Sequence, residues 1–348
     1  MSGDALSQAI RRLAAHESLD GPSITRAFDV IMRGEGSPVQ CAALLMALRV
    51  KGETAIEVAG VVEALRSAMV VVNASDPDAL VDTCGTGGGT LTTFNISTAA
   101  ALLAAGLGVR VAKHGNRSFT SRSGSADVLE ALGVAIDMPP VAMARTLETA
   151  GIVFMFAPLM HPALRHVGPV RRELGVPTVM NIVGPLANPA RAGRQLVGVA
   201  EPARLSLLAD ALVTLGTRRA LVVHGAPGLD EISPIGMTEV IEVADGQLTR
   251  WNIDPAMADV AGVAAADLVG GDPQENAALV ERVLGGDGPP GARAAVILNA
   301  AGALYVGGQE NDFRTAVARA RTGLAQGAGL DALHRLRAAS RVATVPPR

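Results

Sequence analysis

From about residue 73 onward, short apolar runs alternate with Ala/Leu-rich stretches of helical composition, and few architectures accept that alternation. Buried strands joined by crossover helices build a parallel or mixed sheet with helices on its faces. Residues 109–112, 152–156, 220–223 and 295–298 are the runs that read as buried strands. The first seventy residues lack this alternation and read as helical. Residues 5–15 carry helical apolar spacing, Ser37-Pro38 reads as an N-cap with proline at N1, and Thr54 with Glu57 reads as a capping box opening a helix that carries Ile56, Val61 and Leu65. The connector VNASDPDALV marks a boundary near residue 72. The expectation is an α/β protein with a small all-helical unit, residues 1–72, ahead of a large α/β unit, residues 73–348.

Composition narrows the function. At 348 residues, 49% hydrophobic and with positive mean hydropathy, the chain can bury a sizeable core. It contains no run of about 18 or more uncharged apolar residues with membrane flanks, and its N-terminus is polar rather than signal-like, so a cytoplasmic protein without a membrane partner is expected. Two cysteines, Cys41 and Cys84, make neither a disulfide framework nor a metal site and agree with a reducing compartment. A net charge of −3 and 2% aromatic content speak against a nucleic-acid partner. Charge is unevenly spread, however. The 44 residues from Thr83 to Ala126 hold no acid but include Arg110, Lys113, Arg117 and Arg122, a favourable stretch for an anion. Lys51 and Lys113 are the only lysines among 30 basic residues, and a compact ammonium at 113 suits a phosphate or a sugar hydroxyl.

Three segments carry candidate chemistry. The first is GTGGGTLTTFNIST, residues 85–98, which completes neither the dinucleotide fingerprint nor the Walker loop. Its glycines let backbone N–H groups approach an anion, Thr92, Thr93, Asn95, Ser97 and Thr98 add donors, and a helix of strong formers opens near Ser97 with its N-terminus toward whatever the loop holds. A plain strand-to-helix turn capped by Ser and Thr is the alternative. The second is KHGNRSFTSRSGSADVLEALG, residues 113–133, dense in donors before a helix beginning near Ser125. Any polyanion would suit it. The third is VVHGAPGLDEIS, residues 222–233, where Asp230 and Glu231 follow a buried strand and could hold Mg²⁺ bridging to a phosphate, although surface pairs of this kind are common. Residues 161–195, with five prolines, five arginines and Glu173 as sole acid, read as a helix followed by a proline-bounded loop that packs against something. From Arg314 onward the chain reads as a solvated helix pair with a frayed VPPR end.

Taken in order, GTGGGTLTTFNIST, KHGNRSFTSRSGSADVLEALG, HPALRHVGPVRRELG, NIVGPLANPA, HGAPGLDEIS and AAVILNAAGALYVGG resemble the anthranilate phosphoribosyltransferases of tryptophan biosynthesis over nearly the whole chain. The resemblance implies a helical domain that also takes in about residues 161–195, an α/β domain with a central, mostly parallel sheet flanked by helices, and a homodimer. It implies attack of anthranilate on C1′ of 5-phosphoribosyl diphosphate with inversion, release of diphosphate, and Mg²⁺ as cofactor, two ions being expected. Residues implied around the phosphoribosyl diphosphate are Gly85, Gly88, Gly89, Thr93, Asn95, Ile96, Ser97, Thr98, Lys113, His114, Gly115, Asn116, Arg117, Ser118, Phe119, Thr120, Ser121 and Ser125. Gly85, Asn116, Arg171 and His161 are implied around anthranilate; Ser97, Asp230 and Glu231 around the metal; and His114 is the one candidate for a proton acceptor. Arg172, one position on from Arg171, would face elsewhere on its helix. The chain departs from the family pattern twice: Gly89 replaces a usual Asp, and Met160 replaces the first of two usual histidines. A pyrimidine nucleoside phosphorylase shares this overall fold and is the nearest rival; the adjacent acids and the KHGNR loop count against it.

Overall fold

A computed structural model describes residues 2–118 and 122–343. Four helices come first: α1 (Ser2–Ala14), α2 (Gly21–Met32), α3 (Pro38–Lys51) and α4 (Ala55–Ala68). Both capping signals act as read. Ser37 Oγ accepts from Gln40 N at 3.2 Å while Gln40 Oε1 accepts from Ser37 N at 3.0 Å, a reciprocal cap worth about 1 kcal/mol. Glu57 does more than close the α4 box. Fully buried, it accepts from Leu19 N at 2.9 Å and pairs with Lys51 Nζ at 2.8 Å, tying α3 and α4 to the connector between α1 and α2, so Lys51 is structural.

The remaining elements are β1 (Val81–Gly85), α5 (Ile96–Gly106), β2 (Val111–Gly115), α6 (Ser125–Ala131), α7 (Pro140–Ala150), β3 (Ile152–Phe156), α8 (Ala157–Met160), α9 (Gly168–Leu174), α10 (Met180–Val183), β4 (Arg194–Gly198), α11 (Leu205–Thr214), β5 (Arg219–Gly225), β6 (Thr238–Ala244), β7 (Gln247–Ile253), α12 (Pro273–Leu284), α13 (Pro290–Val306), α14 (Phe313–Ala325) and α15 (Ala328–Ala343). Among the described residues the strands form one sheet in the order β3-β2-β1-β4-β5-β6-β7. The first five are parallel, and β6 and β7 are added antiparallel. The chain moves from β1 to β2 on one side and later returns to β4 on the other. That reversal opens a crevice outside the carboxyl ends of the strands, where α/β sheets bind ligands. One sheet face packs on α5 and α13. The other packs on α11, which also contacts α4, so the apolar core of the N-terminal helices runs on into that of the sheet.

Four readings of the sequence need correction. Residues 295–298, expected as a strand, lie inside α13. That helix is buried on nearly every side, and without a polar face its 3.6-residue period is invisible. The strand expected at 109–112 starts at Val111 and continues through Lys113 and His114, because both side chains are buried with partners of their own. The central strand β1, VDTCG, was not anticipated; its Asp and Thr disguise a strand whose first three residues are buried. The C-terminal pair α14 and α15 is not merely solvated: Phe313, Val317, Leu324, Leu333 and Leu336 join the main core. Residues 344–348, including the VPPR end, lie outside the described residues.

Candidate active site

The glycine loop leaves β1 and returns as α5, and the turn between them needs glycine for two separate reasons. Gly87 and Gly88 have φ of +71° and +82°, a region L side chains seldom occupy. At Gly85 a Cβ would run into the Asp230 carboxylate. The acids of the third segment sit directly on this loop. Asp230 Oδ2 accepts from Gly87 N at 2.8 Å, and Glu231 Oε1 accepts from Ser97 N at 3.0 Å, in the first turn of α5. Thr86 N and Thr90 N donate to the Gly198 and Gly228 carbonyls, lacing the loop to the ends of β4 and β5. Two backbone donors that an anion would use, one in the glycine loop and one at a helix N-terminus, are therefore held by the oxygens of two carboxylates.

Confinement of these carboxylates is costly. Burial pushes the Glu231 carboxyl up to about 8, with the neighbouring Asp230 charge adding to the rise and Lys113 opposing it. Burial also raises Asp230, against the bond from Gly87. A cation beside them would relieve both. Thr98 Oγ1, in the first turn of α5, is buried without a partner. Ser97, Asp230 and Glu231 thus make an oxygen-rich set of the kind Mg²⁺ prefers. No group of three or more acidic, His or Cys side chains suited to a metal occurs among the described residues, so an ion here would take its other ligands from water or from a bound phosphate.

Lys113 lies under this cradle, 3% exposed, and donates to Thr83 O at 2.6 Å and Ser97 Oγ at 3.2 Å. It fastens the end of β1 to the start of α5. Burial lowers its pKa, opposed by the Asp82 charge. Asn95 is tied similarly, to Ser123 O at 3.2 Å and Asn276 Nδ2 at 3.0 Å. Ile96 is buried in the core, and Thr93 meets Val269 in an isolated bridge. Gly88 is exposed at the loop tip. At Gly89, a Cβ would lie 3.0 Å from the Gly228 carbonyl and 3.4 Å from Asp230 Oδ1, so a carboxylate there would crowd an existing one.

Along the second segment, Gly115 and Asn116 continue from β2, and the Asn116 carbonyl receives Ser125 Oγ at 3.3 Å. The Arg117 guanidinium pairs with Asp127 and Glu130 at 2.7 and 2.9 Å, at the start of α6. Ser118 N donates to Asp127. Phe119, Thr120 and Ser121 lie outside the described residues.

The His114 and His161 rings lie with centroids 5.0 Å apart, and each faces a backbone carbonyl, Gly184 for His114 and Ala187 for His161. The Nε2 atom of each is buried and unpartnered. Burial brings His114 down to about 3 and His161 to about 4, so both rings are neutral at pH 7. Met160, where the family pattern has a histidine, packs in the core. Arg171 on α9 is half-buried with no carboxylate partner among the described ion pairs; its Nη2 reaches Asn181 Oδ1 at 3.5 Å, and burial lowers its pKa. Arg172 is exposed, as its helix position requires. Two buried residues went unnoticed in the sequence, Asp82 and Asn188. The available signal for the first was an acid inside an otherwise strand-like VDTCG.

A helical bundle joined to an α/β unit, with an anion cradle at the switch point of the sheet, defines a class of glycosyl-transferring proteins. The family described as glycosyl transferase family, helical bundle domain, matches residues 7–69, and glycosyl transferase family, a/b domain, matches residues 77–330. The chain is similar to the anthranilate phosphoribosyltransferase of Rubrobacter xylanophilus, at 48% identity over 97% of this chain and 98% of that protein. The enzyme of the same name from Geobacillus kaustophilus is 44% identical over 96% and 98%. Among solved structures, anthranilate phosphoribosyltransferase from Thermus thermophilus superposes with a TM-score of 0.90 at 42% identity, covering 96% of this chain and 99% of that one. The Saccharomyces cerevisiae enzyme in complex with PRPP and Mg gives 0.87 at 25% identity, covering 97% and 98%. The chain belongs to the anthranilate phosphoribosyltransferase family.

Proposed function

We propose that the cradle holds the diphosphate of 5-phosphoribosyl diphosphate and that the chain transfers its phosphoribosyl group to the amine of anthranilate, yielding N-(5-phosphoribosyl)anthranilate and diphosphate in tryptophan biosynthesis. The observation that carries this reading is the meeting of Asp230 and Glu231 with the N–H groups of Gly87 and Ser97, residues far apart in sequence. Those N–H groups would donate to the diphosphate, and Ser97, Asp230 and Glu231 would hold the metal. Mg²⁺, two ions in this reading, neutralises the departing diphosphate when bound. Breaking the C1′–O bond leaves an oxocarbenium-like ribose, so catalysis consists of stabilising the leaving anion and positioning the nucleophile rather than supplying a covalent intermediate. The glycine-loop N–H groups and the N-terminus of α5 supply the first, with Lys113 holding them in place. For the second, Arg171 forks onto the anthranilate carboxylate, with Asn116 and His161 beside the ring. The neutral His114 ring offers Nε2 as an acceptor to the amine.

In this reading the helical domain comprises residues 1–72 with 161–195, and residues 73–348 form the phosphoribosyl diphosphate-binding domain. The chain works as a homodimer. Support comes from α3, which buries Cys41, Leu44, Leu45 and Leu48 on one side and leaves Val39 and Val50 77% and 70% exposed on the other. Two large apolar side chains left exposed on the face away from the core suit a second copy of the chain. No helix among the described residues is long and apolar enough to cross a membrane, and the free Cys41 and Cys84 are consistent with a cytoplasmic location. Anthranilate fluorescence tests the activity: it should decay on mixing with phosphoribosyl diphosphate, Mg²⁺ and the purified chain, and a constant signal refutes the assignment.

A further inference from the structure

Residues 184–189, GPLANP, contact no substrate in the reading above, yet all six of their carbonyls face a donor. The Gly184 and Ala187 carbonyls face the His114 and His161 rings. Pro185 O accepts from Gln195 Nε2 at 2.8 Å, and Leu186 O accepts from Arg66 Nη2 of α4 at 2.9 Å. Asn188 O and Pro189 O accept from Arg191 N and Val72 N. The turn is thus a bracket reached from the N-terminal helices, from the connector between the two units and from the sheet.

Asn188 fixes the bracket to the substrate strands. It is 2% exposed, and its Nδ2 donates both to Asp82 Oδ2 at 2.8 Å and to the Ala112 carbonyl at 2.9 Å, while its Oδ1 accepts from Ala190 N at 2.9 Å. Asp82, fully buried in β1, uses its other oxygen to accept from His114 N at 3.1 Å. His114 is therefore held at two points: its backbone by Asp82, and its ring by the turn to which Asn188 belongs. The Nε2 atom of that ring is buried without a partner, so a small displacement of the ring changes what it can offer to a bound group.

We infer that Asn188, acting through Asp82, is a positioning residue that sets the placement of His114. Its catalytic consequence rests on the proposed reading that an amine attacks beside this ring; the placement itself does not. Exchange of donor and acceptor separates this role from general stability. In Asp82→Asn an amide donor confronts either the Asn188 amide or the His114 N–H, and in Asn188→Asp two carboxylates face each other. The double variant D82N/N188D restores one donor–acceptor pair, though Ala112 O loses its donor.

The experiment combines ¹⁵N NMR of the histidine rings in the ligand-free protein with steady-state kinetics on the same preparations. Expected for the parent is a neutral His114 with one defined set of ring signals. Each single substitution should displace that signal and lower kcat/KM by about tenfold or more, and the double variant should return the signal and bring kcat/KM back to within roughly fivefold of the parent. Unmoved His114 signals in folded single variants overturn the inference, as does a double variant no better than the worse single. A loss confined to melting temperature, with kcat and both KM values intact per folded molecule, overturns it too. If neither single variant folds, the double variant decides: folded with parental His114 signals supports the inference, and unfolded refutes it. Should the parent fail to convert anthranilate, the proposed activity falls while the NMR result still judges the placement.

Discussion

Replacing Glu231 by Gln should make the free protein more stable while removing its activity. The carboxyl is pushed from 4.5 to about 8, chiefly by burial and then by Asp230. Such a group prefers its protonated form in the folded state, so ionisation costs folding stability that grows as pH rises from 4.5 to about 8 and then levels off. In a fully enclosed site a rise of that size would correspond to roughly 5 kcal/mol at pH 8. Solvent does reach this residue, which is half-buried rather than enclosed, and screening reduces the expected cost to about 1–2 kcal/mol. Gln is isosteric and its Oε1 can still accept the Ser97 N–H, so the substitution removes the charge and keeps the helix cap. For a chain of 348 residues, that gain raises the melting temperature by about 2 °C. Scanning calorimetry at pH 8 and pH 5, with chelator present to exclude divalent ions, is the assay. The variant should melt higher at pH 8, with the difference shrinking toward pH 5, and kcat with Mg²⁺ should fall by about two orders of magnitude or more. A variant that melts lower at pH 8, or gains equally at both pH values, would refute the account of a carboxylate held at a cost for its ligand.

Arg171→Ala should raise KM for anthranilate about tenfold or more and leave KM for phosphoribosyl diphosphate within about twofold, because it removes a half-buried cation that has no carboxylate partner among the described residues; equal effects on both substrates in initial-rate measurements would place Arg171 elsewhere. Val39→Glu with Val50→Glu should convert a dimer to monomers in sedimentation velocity, since both side chains stand on the outward face of α3; an unchanged sedimentation coefficient would remove α3 from the interface.

The sequence carried the chemistry of this protein further than its architecture. Local signals sufficed wherever a residue acts on near neighbours: the caps at Ser37 and Thr54, the helix opening beside Ser97, and the strand at 152–156. Glycine at 87 and 88 followed from the same local logic, since a turn with positive φ excludes most side chains. Where burial erases periodicity the sequence misled, as in α13, whose apolar surface on all sides gave no sign of a helix. Only the tertiary structure put Glu231 on the N-terminus of α5, buried Lys113 beneath the cradle, and paired Arg117 with Asp127. Asp82 and Asn188 belong to the same class: each is an ordinary polar residue in its own stretch, and 106 positions separate them. Local composition determines which conformations and donors a segment can offer. Sheet order and burial decide which of those donors meet, because the free energy of a buried polar pair depends on partners that the linear sequence does not place side by side.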